Sequence, residues 1–364
     1  MKQQTTELTS LERVLLALKH QEADRIPRME SFWPETIPLW KEQGMPEVDI
    51  AELFRYDMAG AGWITHQAQP GYSELIEETE AWATRKDGNG AILRYWKHKS
   101  GTPEHVGFTA GTPDAWRELK QTLLDVPPPC RVDVDHALRV MRHAHDTKRF
   151  FWWTGVECFE IAKDVIGHEL LCIAMAENPE WAKDIFDTET DVAIRTLDYL
   201  EYQGVRFDGG WIYGDIAYNH GPFCSPRMYR QLVQPAHRRL VQWFKERGLP
   251  VIYHTDGDFR PLIPGFLEIG IDCFQPLEAK ANVDARELKA QYGHQVTLMG
   301  NIDVMKMITN DRAVIEEEVA SKIPALKQGG GYIYHSDHSV PPGVTWATYQ
   351  FLMECVERYG SYAA

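Results

Sequence analysis

The sequence predicts an α/β fold: a TIM (β/α)8 barrel with an N-terminal helical extension and a β-hairpin insertion. Three observations point there. Eight short apolar runs recur along the chain, nearly all separated by helical patterns. No glycine-rich phosphate loop follows the first run, which continues Trp33-Pro34-Glu35-Thr36, and this argues against a doubly wound dinucleotide sheet. Carboxylates and imidazoles recur at the ends of the runs, where a barrel gathers its chemistry around one mouth.

The elements follow in order. Ser10 reads as the N-cap of an opening helix with Leu11, Val14, Leu15 and Leu18 on one face. Strands are expected at 26–32 and 58–64. Residues 82–97 form a hairpin about the turn Asp87-Gly88-Asn89-Gly90, an excursion spanning about 80–100. Further strands fall at 149–154, 205–213, 250–254, 271–275, 296–300 and 332–336. Helical patterns occupy 114–124, 132–147, 179–202, 226–247, 259–269, 283–292, 311–328 and 345–358. There is no repeat or low-complexity segment, and the cluster Pro127-Pro128-Pro129 is too short for a linker. Residues 1–364 therefore read as a single domain.

Composition narrows the function classes. Lys plus Arg number 38 and Asp plus Glu 53, for a net charge of −15, which speaks against a nucleic-acid partner. No apolar run reaches membrane-spanning length. The polar start MKQQTTELTS lacks an export-signal core, and the six cysteines form no Cys-x-x-Cys pair. A cytoplasmic protein with reduced thiols is expected.

The strand ends supply the candidate site. Glu30, Trp63, Trp152, Trp153, Tyr213 and Tyr253 are candidates for substrate binding, although the Trp152-Trp153 pair reads as core ahead of pocket. The sharpest segment runs Val251-Ile252-Tyr253-His254-Thr255-Asp256-Gly257. In extended backbone, residues two apart point the same way, so His254 and Asp256 can converge on one point. A second strand ends His335-Ser336-Asp337-His338. Two imidazoles and a carboxylate suffice for a metal with open positions, so His254, Asp256 and His338 are candidate ligands. Alternatively, His254 and Asp256 form a hydrogen-bonded pair that orients a loop. Glu278 lies at the strand end between them, as a further ligand or base, or as a salt-bridge partner of Lys280.

Several motifs together resemble the uroporphyrinogen decarboxylase superfamily over nearly the whole chain. They are Glu12-Arg13-Val14-Leu15-Leu16-Ala17-Leu18 with Asp24-Arg25-Ile26-Pro27, Gly214-Asp215, His220-Gly221-Pro222, Ser225-Pro226, Gly300-Asn301-Ile302-Asp303 and Val340-Pro341-Pro342. The resemblance implies a barrel and a homodimer. Its decarboxylases grip a polycarboxylate with an arginine-rich N-terminal segment, whereas this chain reads Arg28-Met29-Glu30-Ser31-Phe32-Trp33. Its other branch comprises zinc- and corrinoid-dependent methyltransferases, whose coenzyme M type holds zinc through His-x-Cys and a late Cys. His254-x-Asp256 and His338 stand at those places, which implies Zn2+ or another divalent metal in a harder ligand set.

The activity so implied moves a methyl group to a corrinoid protein from an O-methyl compound, such as a methoxylated aromatic, or from an N-methyl one. No Asp-x-His-x-x-Gly segment for cobalamin occurs, so the corrinoid would arrive on a partner. Asp215, Glu278 and Asp303 are the expected catalytic residues. The alternative is a metal-free decarboxylase or lyase in which His338 and Asp57 handle protons.

Overall fold

Aromatic and aliphatic side chains dominate seven short strands that pair in parallel in the computed structural model, which describes residues 8–98 and 101–362. Residues 1–7 of the polar start and 99–100 of the expected hairpin excursion lie outside the described residues. The first barrel strand is β1 (Met58–Ala61). An antiparallel sheet follows, built from β2 (Ser73–Glu78), β3 (Trp82–Asp87), β4 (Ile92–Trp96) and β5 (Glu104–Gly107). The chain returns to the barrel with β6 (Phe150–Val156) and β7 (Gly209–Tyr213), then makes a small hairpin of β8 (Ala217–Tyr218) and β9 (Gly221–Pro222). The barrel is completed by β10 (Val251–His254), β11 (Cys273–Gln275), β12 (Thr297–Met299) and β13 (Tyr332–Ile333). Its strand order is β1-β6-β7-β10-β11-β12-β13.

The segment 26–32 closes the cylinder. Arg28 bridges Tyr334 in parallel, and the Arg28 carbonyl accepts from the Asp57 N–H at 2.8 Å, just before β1. Phe32 bridges Val340 further up. The segment thus touches both edges of the sheet and stands as the eighth stave.

Period-two alternation divides the strand residues between two apolar layers. Met58, Phe150, Trp152, Ile252, Cys273, Met299 and Ile333 point into the barrel. Val14 and Ala17 of the helix Ser10–Leu18 plug the end where the strands begin. Phe151, Trp153, Val251 and Phe274 face outward onto the helices. Among the described residues, no helix is long and apolar enough to cross a membrane.

Four details differ from the sequence expectations. The first helix is capped by Thr9, whose hydroxyl accepts from the Glu12 N–H in a capping box, rather than by Ser10. The expected hairpin gains a strand on each side, because its two strands alone leave both edges open. Helices Cys158–Ile166 and His168–Glu177 lie outside the expected helical patterns; the apolar residues of the second are spread around its faces, which blurs the helical period, whereas the first carries Glu160, Lys163 and Asp164 on one face. The pattern 226–247 is a short turn, a π-helical turn at Tyr229–Val233 and the helix Gln234–Lys245, with Pro235 near its start.

Candidate functional site

A cavity of about 570 Å3 opens at the carboxyl ends of the barrel strands. Its floor includes Trp152 and Met299, and its walls carry Trp33, Trp211, Tyr213, Asp215, His254, Asp256, Gln275, His335 and His338. Trp152, Trp211 and Tyr213 stack in a row along one wall, with centroids 6.4 and 6.2 Å apart and planes within 21°. Trp33, also in the lining, lies parallel to the His338 ring at 5.8 Å. Gly60 makes room for the Trp152 indole: a Cβ there would fall 2.0 Å from its Nε1.

Asp215, His254 and Asp256 form the centre. Their ligand atoms all lie within 4.8 Å of one another. His254 Nε2 is 3.7 Å from Asp215 Oδ1 and 3.8 Å from Asp256 Oδ1, and His338 Nε2 is 3.7 Å from Asp256 Oδ2. A tetrahedron with metal–ligand bonds of about 2.0 Å has edges of roughly 3.3 Å, so the cluster is close to metal-binding size.

The protonation of His254 follows from its neighbours. Trp211 Nε1, which can only donate, lies 3.0 Å from the Gln275 side-chain oxygen. That oxygen therefore accepts, and it also faces His254 Nδ1 at 2.6 Å. The His254 proton sits on Nδ1, and its Nε2 lone pair points at two carboxylates. Burial pushes the imidazole pKa below its ordinary value and keeps it neutral. Burial, reinforced by Asp215 and Glu278, raises the Asp256 pKa. The buried Oδ1 of Asp256 has no hydrogen-bond partner. A lone pair, two carboxylates and an orphaned oxygen aimed at one point are mutually repulsive unless a proton or a cation sits between them. The residues present therefore fit a divalent metal.

The support around this centre is extensive. The Asp215 carboxylate accepts from the Asp256 N–H at 2.9 Å and from the Tyr213 hydroxyl at 3.0 Å. The Asp215 N–H donates to Glu160 Oε2 at 2.9 Å, and Lys163 pairs with that carboxylate at 2.6 Å. Burial pushes the Glu160 pKa up to about 8. Gly257, with φ +80, turns the chain after Asp256 and donates its N–H to Glu278 Oε2 at 2.8 Å. A side chain there would strike the Tyr218 backbone at 2.6 Å.

The other expected residues are distributed as follows. Trp63 lines the cavity at its rim and is 53% exposed. Trp153 faces the outer layer, packs on Phe244 and donates to the Gly62 carbonyl at 2.9 Å. Tyr253 is buried on the outer side and donates to the Gly214 carbonyl at 3.1 Å. Glu30 lies behind the wall, where it accepts from Tyr334 at 3.0 Å and from the Ser336 hydroxyl at 2.7 Å. Glu278 pairs with Lys280 at 2.7 Å and supports the Gly257 turn. Asp303 caps the helix Val304–Met307 through the Met305 N–H at 2.7 Å.

Asp57 lies at the opposite end of the barrel, fully buried. Arg13 binds it at 2.8 Å and Arg25 at 2.7 Å. Sequence reasoning missed Gln275, Trp33, Trp211 and Glu160. Gln275 and Trp211 carried a usable signal, since both belong to the ends of barrel strands.

An eight-stave barrel with a carboxylate–imidazole centre at its mouth defines the class of fold. Comparison with known families then identifies it: residues 158–359 match the uroporphyrinogen decarboxylase (URO-D) family, and the chain belongs to that family. Two curated relatives illustrate its range. A methylated-thiol–coenzyme M methyltransferase from Methanosarcina mazei is 29% identical over 152 residues, or 42% of this chain and 38% of the relative. A uroporphyrinogen decarboxylase from Pelobacter propionicus is 26% identical over 159 residues, or 44% of this chain and 45% of the relative. The chain thus matches less than half the length of either. A solved methyltransferase from Methanosarcina mazei superposes with a TM-score of 0.66 at 15% identity, covering 98% of this chain and all of that one, which shows the shared fold.

Proposed function

We propose that the protein is a zinc-dependent methyltransferase that takes a methyl group from a methoxylated or N-methyl compound and delivers it to a corrinoid protein. One observation carries this reading: the His254 Nε2 lone pair, the carboxylates of Asp215 and Asp256 and the unpartnered Asp256 Oδ1 face one point at the cavity wall. His254, Asp256 and His338 would hold Zn2+ or another divalent ion, with Asp215 as a displaceable fourth donor. Glu278 is committed to Lys280 and Gly257. Bound there, the ion supplies Lewis acidity to an ether oxygen or similar leaving atom.

The chain's own residues do the rest. Gln275 fixes the His254 ring, and Tyr213 and Glu160 hold Asp215 in place. Trp152, Trp211, Tyr213 and Trp33 give the cavity an aromatic lining suited to a methoxylated ring. The open mouth leaves room for a corrinoid carried by a partner in the cytoplasm, docked on a homodimer of this chain.

The decarboxylase alternative required Asp57 to act beside His338. Arg13 and Arg25 neutralise Asp57 at the far end of the barrel, which favours methyl transfer. The test is metal content together with demethylation of methoxylated compounds in the presence of a Co(I) corrinoid protein, followed by cobalt absorbance. One equivalent of zinc and a methyl–cobalt spectrum are expected. Full turnover by His254→Ala with Asp256→Ala would end the proposal.

A further inference from the structure

His335 lines the same cavity as the proposed metal centre, yet methyl transfer as described above gives it no task. Only 3% of it is exposed. Its place follows from the eighth stave. Parallel bridges from Arg28 to Tyr334 and from Phe32 to Val340 run the stave 26–32 alongside residues 334–340, and the Val340 N–H donates to the Ser31 carbonyl at 2.9 Å. Ser31 is thereby held against both His335 and Ser339, and all three line the cavity.

The contacts form a chain. His335 Nε2 is 3.3 Å from Ser31 Oγ, and Ser31 Oγ is 3.1 Å from Ser339 Oγ. Behind the ring, the buried Glu30 carboxylate stands 3.6 Å from Nε2. Ser339 directly follows His338, one of the proposed metal ligands.

The direction of these hydrogen bonds is set at the far ring nitrogen. His335 Nδ1 faces the Ser336 carbonyl at 2.6 Å, and a carbonyl only accepts, so Nδ1 carries a proton. In the neutral ring, Nε2 accepts from the Ser31 hydroxyl, Ser31 accepts from Ser339, and a lone pair of Ser339 is left for the cavity. In the imidazolium each bond reverses, and Ser339 turns its O–H into the cavity. Passing from one state to the other moves one proton along the chain while the heavy atoms stay in place. Glu30 offsets the buried imidazolium charge while it lasts.

We propose that His335, Ser31 and Ser339 form a proton relay that protonates the leaving oxygen of a methoxylated arene. The proposal rests on the methyl-transfer reading of the same cavity and adds the source of the proton to it. Transfer breaks the O–CH3 bond and forms a carbon–cobalt bond with an electron pair from the Co(I) partner. The C–O bonding pair stays on oxygen as a phenolate. Ser339 gives that oxygen a proton, Ser31 resupplies Ser339, and His335 Nε2 resupplies Ser31. Once the phenol has left, the ring regains a proton from water through the same hydroxyls, so each methyl group transferred consumes one proton.

The demand for such a proton grows with the basicity of the leaving oxygen. The experiment measures demethylation by the zinc-supplemented, full-length protein with a Co(I) corrinoid protein. The two donors are anisole, which leaves as a strongly basic phenolate, and 4-nitroanisole, which leaves as a weakly basic one. Ser31→Ala is expected to lower kcat on anisole by more than about tenfold and to lower it distinctly less on 4-nitroanisole, with KM unchanged for both. Ser31→Thr returns the hydroxyl and is expected to recover most of the anisole rate. His335→Gln is expected to show the same selective loss, and if that variant does not fold, the two Ser31 variants decide.

Equal losses on the two arenes, or no loss on either, overturn the relay and leave methyl transfer standing. Transfer from N-methyl compounds but from neither arene overturns the relay and narrows the function to those donors. No transfer from any donor removes both the relay and the function proposed above.

Discussion

Each end of the barrel buries charged groups, and the two ends treat them in opposite ways. At the end plugged by the first helix, Asp57 receives Arg13 Nη1 at 2.8 Å, Arg25 Nη1 at 2.7 Å and the Arg28 N–H at 2.8 Å. Asp24 accepts a second, bidentate contact from Arg13. At the open end, Asp215 and Asp256 face each other and a neutral imidazole, and Asp256 Oδ1 is unpartnered. The first cluster satisfies its own charges and fastens the stave 26–32 to β1. The second holds Asp215 through the Asp256 N–H and the Tyr213 hydroxyl but leaves Asp256 Oδ1 without a donor, as the proposed metal site requires.

Substitutions at the two ends should therefore behave in opposite ways. The largest effect is expected for Asp57→Asn, which takes from the buried Arg25 its carboxylate partner and leaves Arg13 paired with Asp24 alone. Stability should fall by about 3–5 kcal/mol in a urea titration, while zinc affinity of the folded fraction stays unchanged. An unaltered urea midpoint would dissolve the contrast.

Asp256→Asn should do the reverse. Zinc affinity is expected to drop by more than about a hundredfold in a competitive chelator titration, with no loss of stability in the metal-free protein. The pH dependence sharpens this. The pKa of Asp256 is raised above its unfolded value, so the metal-free native state retains a proton that the unfolded chain has released. Stability then declines as pH climbs from the ordinary carboxylate range, near pH 4, through the raised value. The Asn variant should lose that slope, and thermal melts across the same pH range would reveal it if it persisted.

A smaller loss is expected from Gln275→Leu, which frees the His254 ring and leaves the Trp211 N–H unpaired. Zinc affinity should weaken by roughly 10–100-fold with the ligands themselves intact. The smallest effect belongs to Asp303→Ala. Loss of this helix cap should cost about 1 kcal/mol in chemical denaturation, with metal binding and turnover untouched. A turnover defect there would show that Asp303 does more than cap.

Much of this was readable in the chain. The eight apolar runs announced the staves, including 26–32, although it pairs through isolated bridges rather than a regular ladder. The spacing of His254 and Asp256 placed both on one face of one strand end, and they do share a centre. The same two-residue period separates Trp152, which lines the cavity, from Trp153, which packs outward. Local sequence could not decide which of the pair faced inward, because both are large aromatics. Glu278 stood out as a carboxylate after a strand, yet its charge is taken by Lys280 and the Gly257 turn. Gln275, three residues earlier, orients the imidazole instead. A neutral amide carries no electrostatic signature in a linear sequence.

Strand and helix alternation and the convergence of His254 with Asp256 follow from periods of two and 3.6 residues, which depend on neighbours along the chain. Which carboxylates are satisfied and which are left facing one another depends on partners that arrive from distant strands: Arg13 against Asp57, Gln275 against His254, Glu160 against Asp215. Only closure of the barrel brings those groups within hydrogen-bonding reach, and so only the tertiary structure separates the charges paired within the fold from the Asp256 oxygen left without a donor.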